Sequence, residues 1–259
     1  MDNMQKIPVF FTFDANYLLA AKVAIHSMMK HASRQYWYEL YVFHTTLSPK
    51  AQQSLRNSLK EFTHTELHFI DVTQYNEKIK NFGTKAHYSK EIFYKLIATD
   101  VLPQYDRIIC SDVDVVFTGD FSPVFFMFPN EKFYYAGVGP VENSRMPYYR
   151  KDFSTTEMEI LEHEIAAGFL LINLKELRND HKQEEIINFY VNNYPRLRLP
   201  EQDCIILTCW PYIKYLPIDY SLPISFYRLN MNQRDFYQGN TEFAGDKATA
   251  LAKFNKGLA

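Results

Sequence analysis

Ile7-Pro8-Val9-Phe10-Phe11-Thr12-Phe13 is followed by Asp14-Ala15-Asn16-Tyr17, and then by Leu18, Ala21, Ile25, Met28 and Met29 at helical spacing. An unbroken apolar run suits a strand buried on both faces, and the spacing after it suits a helix with one apolar stripe. The same alternation continues along the chain. Tyr38–His44 reads as a second strand. Ser48-Pro49 opens a helix through about Phe62, with Ser as cap and Pro at the first helical position. Glu66–Val72 reads as a third strand and Ser89–Val101 as a helix stopped by Pro103. Arg107-Ile108-Ile109-Cys110 is a fourth strand that runs into Ser111-Asp112-Val113-Asp114-Val115-Val116-Phe117. This β-α-β-α-β-α-β order predicts an α/β fold with a mainly parallel sheet flanked by helices.

The second half is less regular. Lys132–Val138 and Ala166–Leu174 read as strands, residues 140–156 as a polar loop and Lys182–Tyr194 as a helix. Gln202–Thr208 is apolar, and Tyr215–Pro223 is expected to be extended. Neither a repeat nor a linker interrupts the chain. One domain over residues 1–259 is expected, with halves of about 1–117 and 118–259.

Composition narrows the function. The chain has 259 residues, 47% hydrophobic and 22% charged, with a formal net charge of −2. Nucleic-acid binding needs a surplus of Lys and Arg to neutralise phosphates, and there is none. Glycine is scarce, at eight residues, and the chain contains no GxGxxG, Walker or GxSxG pattern. Cys110, Cys204 and Cys209 sit in apolar contexts without a CxxC pair, which suggests buried reduced thiols and the cytosol. Acidic Asp14 follows the first apolar run too soon for a signal peptide, and no run approaches the ~20 residues of a membrane span. The expectation is a soluble cytoplasmic protein, compatible with peripheral attachment at the inner face of the membrane.

In an open α/β sheet, ligands bind beyond the carboxyl ends of the strands. Two polar groups fall there: Asp14-Ala15-Asn16-Tyr17 and Asp112-Val113-Asp114. With 14 aspartates in the chain, roughly one Asp-x-Asp arises by chance, so the bare pattern carries no information. Its apolar setting carries more, because two carboxylates there need a partner. A hard divalent cation is one such partner; capping of the next turn is the other. Asp14 and Asn16 have the same two readings, helix cap or ligand contact. Glu201-Gln202-Asp203 interrupts an apolar stretch, as a site wall or as an acidic helix start. His163, lying among acidic residues, and the pair His64 and His68 lack metal-ligand spacing and read as locally bonded.

Taken in order, these segments resemble family 8 of the retaining glycosyltransferases, which includes bacterial lipopolysaccharide galactosyl- and glucosyltransferases and glycogenin. Phe10–Tyr17 resembles the family's opening strand and nucleotide turn. Phe93-Tyr94-Lys95-Leu96 and Leu102–Arg107 resemble the helix and turn before its DxD segment, which Ile109–Asp114 resembles in turn. Ala167–Leu174 is similar to its Asn-Ala-Gly strand, Pro200–Asp203 to its Asp-Gln-Asp segment and Leu216-Pro217 with Tyr220 to the strand after it. The resemblance implies a single-domain GT-A fold, Rossmann-like with a mainly parallel mixed sheet. It implies transfer of glucose or galactose from a UDP-sugar to a saccharide or glycolipid acceptor in surface-glycan synthesis. Mn²⁺ is the implied metal, with Mg²⁺ as the alternative. Thr12, Asp14, Asn16 and Tyr17 would line the nucleoside pocket, with Ser111 and Ala167 beside the donor. Asp112 and Asp114 would ligate the metal. Lys95 would contact the donor, Gly168 would admit the sugar, Glu201 would bind its hydroxyls, and Gln202 would lie beside the anomeric carbon.

Several positions depart from the family pattern. Lys95 stands for an arginine, Ala166 for the Asn and Glu201 for an Asp; Glu142 is the nearest counterpart of a further acidic residue. No His follows His181, and no Lys-Pro-Trp follows it either. The family's third metal ligand and closing motif are therefore not matched, and weak donor binding is expected. A catalytically weak nucleotide-sugar-binding or scaffold protein is the competing reading.

Overall fold

The computed structural model describes residues 4–80, 89–139 and 151–221. Seven strands form one sheet: β1 (Lys6–Thr12), β2 (Trp37–His44), β3 (Thr65–Asp71), β4 (Arg107–Ser111), β5 (Tyr135–Val138), β6 (Phe169–Asn173) and β7 (Ile213–Leu216). Their order is β3-β2-β1-β4-β6-β5-β7. β3, β2, β1 and β4 are mutually parallel, and β5 is parallel to β7. β6 runs antiparallel to both β4 and β5, so a single reversed strand joins two parallel blocks.

The first half forms where its hydrophobic pattern places it. All of β1 beyond Lys6 is buried, as expected for a strand covered on both faces. Pro8 sits in this central strand because pairing to β4 begins only at Val9, where the missing N–H no longer matters. Helix α1 (Leu18–His31) buries Ala21, Ala24, Ile25, Met28 and Met29, a stripe of i, i+3 and i+4 neighbours. Helix α2 (Pro49–Ser58) is capped by Ser48, whose hydroxyl accepts from the Ala51 N–H at 3.3 Å. It stops short of Phe62, because the Leu59 N–H turns back to Arg56 and the Phe62 N–H to Leu59 in tighter turns.

Other elements differ from expectation. The segment after Ser89 is a 3₁₀ helix over Lys90–Ile97, followed by the single-turn helix α3 (Ala98–Val101). Every residue from Phe93 to Thr99 is buried. An amphipathic α-helix cannot bury seven successive residues, whereas this segment is enclosed by β1 and by the helices α6 and α7 described next. Helix α4 (Thr155–Leu161) forms at the end of the stretch expected to be a loop, held by a capping box between Ser154 and Glu157. Its signature, Ser-x-x-Glu, is in the sequence, but no apolar period follows it. Helices α5 (Leu174–Asn179) and α6 (Lys182–Asn193) are separated by His181 in the left-handed region, at φ 51°. The apolar stretch near 205 is helix α7 (Pro200–Cys209). The last extended segment is divided into β7 and a 3₁₀ turn over Ile218–Tyr220.

Two apolar layers cover the sheet. One packs Phe10, Cys110, Leu170 and Ile172 against Phe93, Ile186 and Ile206. The other packs Val9, Phe11, Ile109 and Leu171 against Ala21, Ile25 and Leu55. Cys110, Cys204 and Cys209 are buried free thiols. Among the described residues no helix is long and apolar enough to cross a membrane.

Candidate active site

β1 and β4 are neighbours, with Phe11 opposite Ser111, so the segments ending at Asp14 and Asp112 emerge at one edge of the sheet. The reversed strand brings its amino end to the same edge: Ser111 pairs with Phe169, and the Asp112 N–H donates to the Gly168 carbonyl at 2.8 Å. The first turn of α7 supplies Glu201 and Gln202.

Lys95 is the centre of this arrangement. It is 1% exposed, and its ammonium donates to Asp112 Oδ1 at 2.7 Å, Glu201 Oε1 at 3.0 Å and the Ala167 carbonyl at 3.1 Å. An ammonium has three donors, and all three are matched. Burial alone pulls the Lys95 pKa down, but the charges of Asp112 and Glu201 outweigh it and push the pKa above its ordinary value. Lys95 therefore stays cationic and faces two carboxylates. Beneath it, burial raises the Cys110 thiol well above its usual range, which keeps that group neutral.

Two oxygens at the site are left for other partners. Asp112 is partly exposed, and a Cβ built on Gly168 would lie 3.3 Å from its Oδ2. A glycine keeps that oxygen clear. Glu201 Oε2 is buried without a hydrogen-bond partner, an arrangement that costs about 1–3 kcal/mol until something donates to it. Gln202 is held at both ends: its Oε1 accepts from the Ala167 N–H at 3.1 Å, and its Nε2 donates to Glu164 Oε2 at 2.9 Å.

The remaining expected residues form an outer group. Asp14 caps the 3₁₀ turn over Ala15–Tyr17, with Oδ1 accepting from the Asn16 N–H at 2.8 Å and Oδ2 from Asn16 Nδ2 at 3.2 Å. Tyr17 is 39% exposed. Thr12 is buried, and its hydroxyl donates to the Glu91 carbonyl at 2.7 Å, tying the end of β1 to the 3₁₀ helix. Ser111 is fully buried and donates to the Asp112 carbonyl at 2.8 Å. Asp203, third in the Glu-Gln-Asp run, turns away: its Oδ2 accepts from the N–H groups of Arg198 and Leu199 and fixes the start of α7. Glu164 was missed in the sequence; its signal was one acid at the entrance to an apolar run. His163 stacks on Trp210 at 4.0 Å, a local role. Glu142 lies outside the described residues.

Among the described residues, no three His, Cys, Asp or Glu side chains converge as a metal-binding group. Asp112 and exposed Asp114 offer two hard oxygen donors. That set fits Mg²⁺ or Mn²⁺ shared with phosphate and water, and does not fit a cage made of protein alone.

The sequence matches the family described as Glycosyl transferase family 8 over residues 8–244. No curated protein matches the chain in sequence. Solved structures share its fold. Galactosyltransferase LgtC, in complex with donor and acceptor sugar analogs, superposes with a TM-score of 0.68 at 18% identity, over 88% of this chain and 79% of LgtC. The bifunctional glycosyltransferase WbbM gives 0.67 at 20% identity, over 83% of this chain; the match spans 39% of WbbM. Mouse xyloside xylosyltransferase 1 gives 0.64 at 16% identity, over 94% of this chain and 95% of that one.

Proposed function

The chain belongs to glycosyltransferase family 8, and from that premise we propose that it transfers glucose or galactose from a UDP-sugar to a saccharide acceptor. The anomeric configuration is retained, and the acceptor belongs to a surface glycan or glycolipid. The observation that carries this reading is Glu201 Oε2, a buried acceptor without a donor, on a carboxylate that shares the Lys95 ammonium with Asp112. A sugar hydroxyl supplies the missing donor.

Each residue then has a part in the transfer. Asp14, Asn16, Thr12 and Tyr17 receive the nucleoside at the end of β1. Asp112 and Asp114 are the residues that hold Mn²⁺, or Mg²⁺ in its place. When bound, the cation neutralises charge on the departing diphosphate. Gly168 lets the sugar approach the backbone. Glu201 accepts from the sugar hydroxyls and orients the ring. Breaking the bond to the diphosphate builds positive charge on the sugar, and the Gln202 carbonyl oxygen and the carboxylates face that charge. An amide is a poor nucleophile, so the acceptor hydroxyl attacks from the face that the leaving group vacates. Lys95 keeps Asp112 and Glu201 at a fixed separation and adds positive potential behind the leaving group.

A thermal-shift screen of UDP-sugars with and without Mn²⁺, followed by assay of free hexose release, tests this reading. A metal-dependent rise in Tm with one UDP-hexose, and slow release of that hexose, is the expected result. Binding without turnover at any acceptor would leave a nucleotide-sugar-binding protein.

A further inference from the structure

One short segment touches Lys95, Asp112 and both ends of the Gln202 amide. Residues 164–168 connect α4 to the reversed strand β6. The Glu164 carboxylate accepts from Gln202 Nε2, and the Ala167 N–H donates to Gln202 Oε1. The Ala167 carbonyl accepts from Lys95, and the Gly168 carbonyl accepts from the Asp112 N–H. Within this segment Glu164 is a carboxylate only 5% exposed, and the roles assigned above leave it unused.

We propose that Glu164 is a positioning residue for glycosyl transfer, fixing which end of the Gln202 amide faces the donor sugar. The inference rests on the glycosyltransferase reading of the same site. A glutamine amide has one accepting end and one donating end of nearly the same shape. The Ala167 N–H can only donate, and an ionised carboxylate can only accept. Anchors of opposite sense at the two ends therefore admit one orientation. The carbonyl end is held on the Ala167–Gly168 side, where the sugar approaches. A lone pair of Oε1 remains available there for the positive charge that develops on the sugar. The flipped amide would present N–H groups to that charge and would set like against like at both anchors. Alanine at 164 removes one of the two anchors and leaves Nε2 without its acceptor, and a glutamine there, able to present either end, restores only part of the selection.

The test compares Glu164→Ala, Glu164→Gln, Gln202→Ala and the Glu164→Ala/Gln202→Ala double variant in UDP-hexose hydrolysis with Mn²⁺. Glu164→Ala is expected to lower kcat about ten- to a hundredfold, the range typical of a misplaced reacting group. Its donor KM should stay within about threefold, because the binding contacts are intact. Glu164→Gln should recover part of the loss, and the double variant should be no slower than Gln202→Ala. An unchanged kcat in Glu164→Ala overturns the proposal, as do additive losses in the double variant. A joint collapse of kcat, KM and Tm marks a merely structural role and overturns it too. A second readout needs no activity: hydrogen exchange at the side-chain amides of ¹⁵N-glutamine-labelled protein, with the Gln202 pair identified by its absence in Gln202→Ala. Protection of one Gln202 amide proton that is lost in Glu164→Ala is expected; equal exchange in the two proteins overturns the proposal. A wild-type chain that neither binds nor turns over any UDP-hexose defeats the functional reading instead, and the amide measurement still decides whether Glu164 holds Gln202.

Discussion

Two adjacent strands each end in a hydroxyl residue with an aspartate close behind, Asp14 two residues after Thr12 and Asp112 directly after Ser111, and the two aspartates are held in opposite ways. Asp14, after β1, spends both oxygens on Asn16, two residues along an exposed rim. Asp112, after β4, is fixed by groups from elsewhere in the chain: Lys95 on the 3₁₀ helix and Gly168 at the start of the reversed strand. The first arrangement forms wherever the local turn forms. The second exists only when the 3₁₀ helix, β4, β6 and α7 converge. Chemistry that needs several groups at fixed separations belongs at the second end. The first is suited to gripping a flexible part of a ligand.

The largest effect that separates the two ends is expected for Lys95→Met. Removing the ammonium leaves the Asp112 and Glu201 carboxylates facing each other with no cation between them. Breaking a buried charge cluster in this way costs about 3–5 kcal/mol. For a chain of this size that is a fall in Tm of about 6–20 °C, measured by calorimetry. Adding Glu201→Gln to Lys95→Met should restore part of the loss, because it removes one uncompensated charge. A Tm unchanged by Lys95→Met would break the contrast, since Asp112 would then be no more strongly coupled than Asp14.

Next in size is the divergence of the two metal-facing carboxylates. Asp114 is exposed and has no partner among the described residues, so Asp114→Asn should leave Tm unchanged. Asp112→Asn should lower Tm, because Lys95 loses an ionic partner. Both should weaken UDP binding in Mn²⁺ about ten- to a hundredfold, as expected for loss of a charged contact. Both should bind UDP like the wild type when the cation is chelated. Isothermal titration with and without EDTA measures both halves of this expectation. Equal losses in the two conditions would take the metal away from Asp112 and Asp114.

The contrast also explains what could be read before the structure was known. β1, β2, β3 and β4 are legible because burial on both faces leaves continuous apolar runs, and Ser48-Pro49 marks α2 by local chemistry. Asp14, Asp112, Glu201 and Gln202 stand out as polar groups breaking apolar stretches, and the family resemblance orders them. Glu164 escaped because it lies in the connection after α4 and meets Gln202, 38 residues along the chain, only in the folded structure, and a buried acid leaves no periodic trace. The 3₁₀ form of Lys90–Ile97 escaped for a different reason. Its sequence has a helical period, which does not distinguish the tighter 3₁₀ winding from an α-helix. Asp203 follows the other of its two readings: in the acidic start of α7 its carboxylate accepts from the Arg198 and Leu199 N–H groups and caps the first turn, while Glu201 faces Lys95.

Gly168 offers a smaller test at the buried end. A methyl at this position would lie 3.3 Å from Asp112 Oδ2, close enough to crowd the open oxygen without entering a packed core. Gly168→Ala should raise the donor KM about tenfold, in line with modest overpacking. Tm should move little, because the backbone of β6 continues to pair with β4. A larger side chain should abolish donor binding. If Gly168→Ala leaves the KM unchanged, the sugar does not approach this stretch of backbone, and the site must open elsewhere along the edge.

The smallest effect is expected at Asp14, where two substitutions separate the roles that one residue combines. Asp14→Ala removes both the cap and the carboxylate. Loss of a cap typically costs about 1 kcal/mol, which corresponds here to about 2–4 °C in Tm. Asp14→Ser keeps a capping oxygen for the Asn16 N–H and removes the charge, so its Tm should match the wild type. If Asp14 also receives the nucleoside, both variants should lose UDP affinity to the same degree, because serine cannot replace a carboxylate towards two donors of a ligand. If UDP affinity follows Tm, falling in Asp14→Ala and holding in Asp14→Ser, the residue is a cap alone. The nucleoside pocket would then have to be built from Asn16, Tyr17 and the neighbouring backbone. The comparison between the strand ends would become sharper: one end would be purely architectural, and the buried cluster around Lys95 would carry the binding as well as the chemistry.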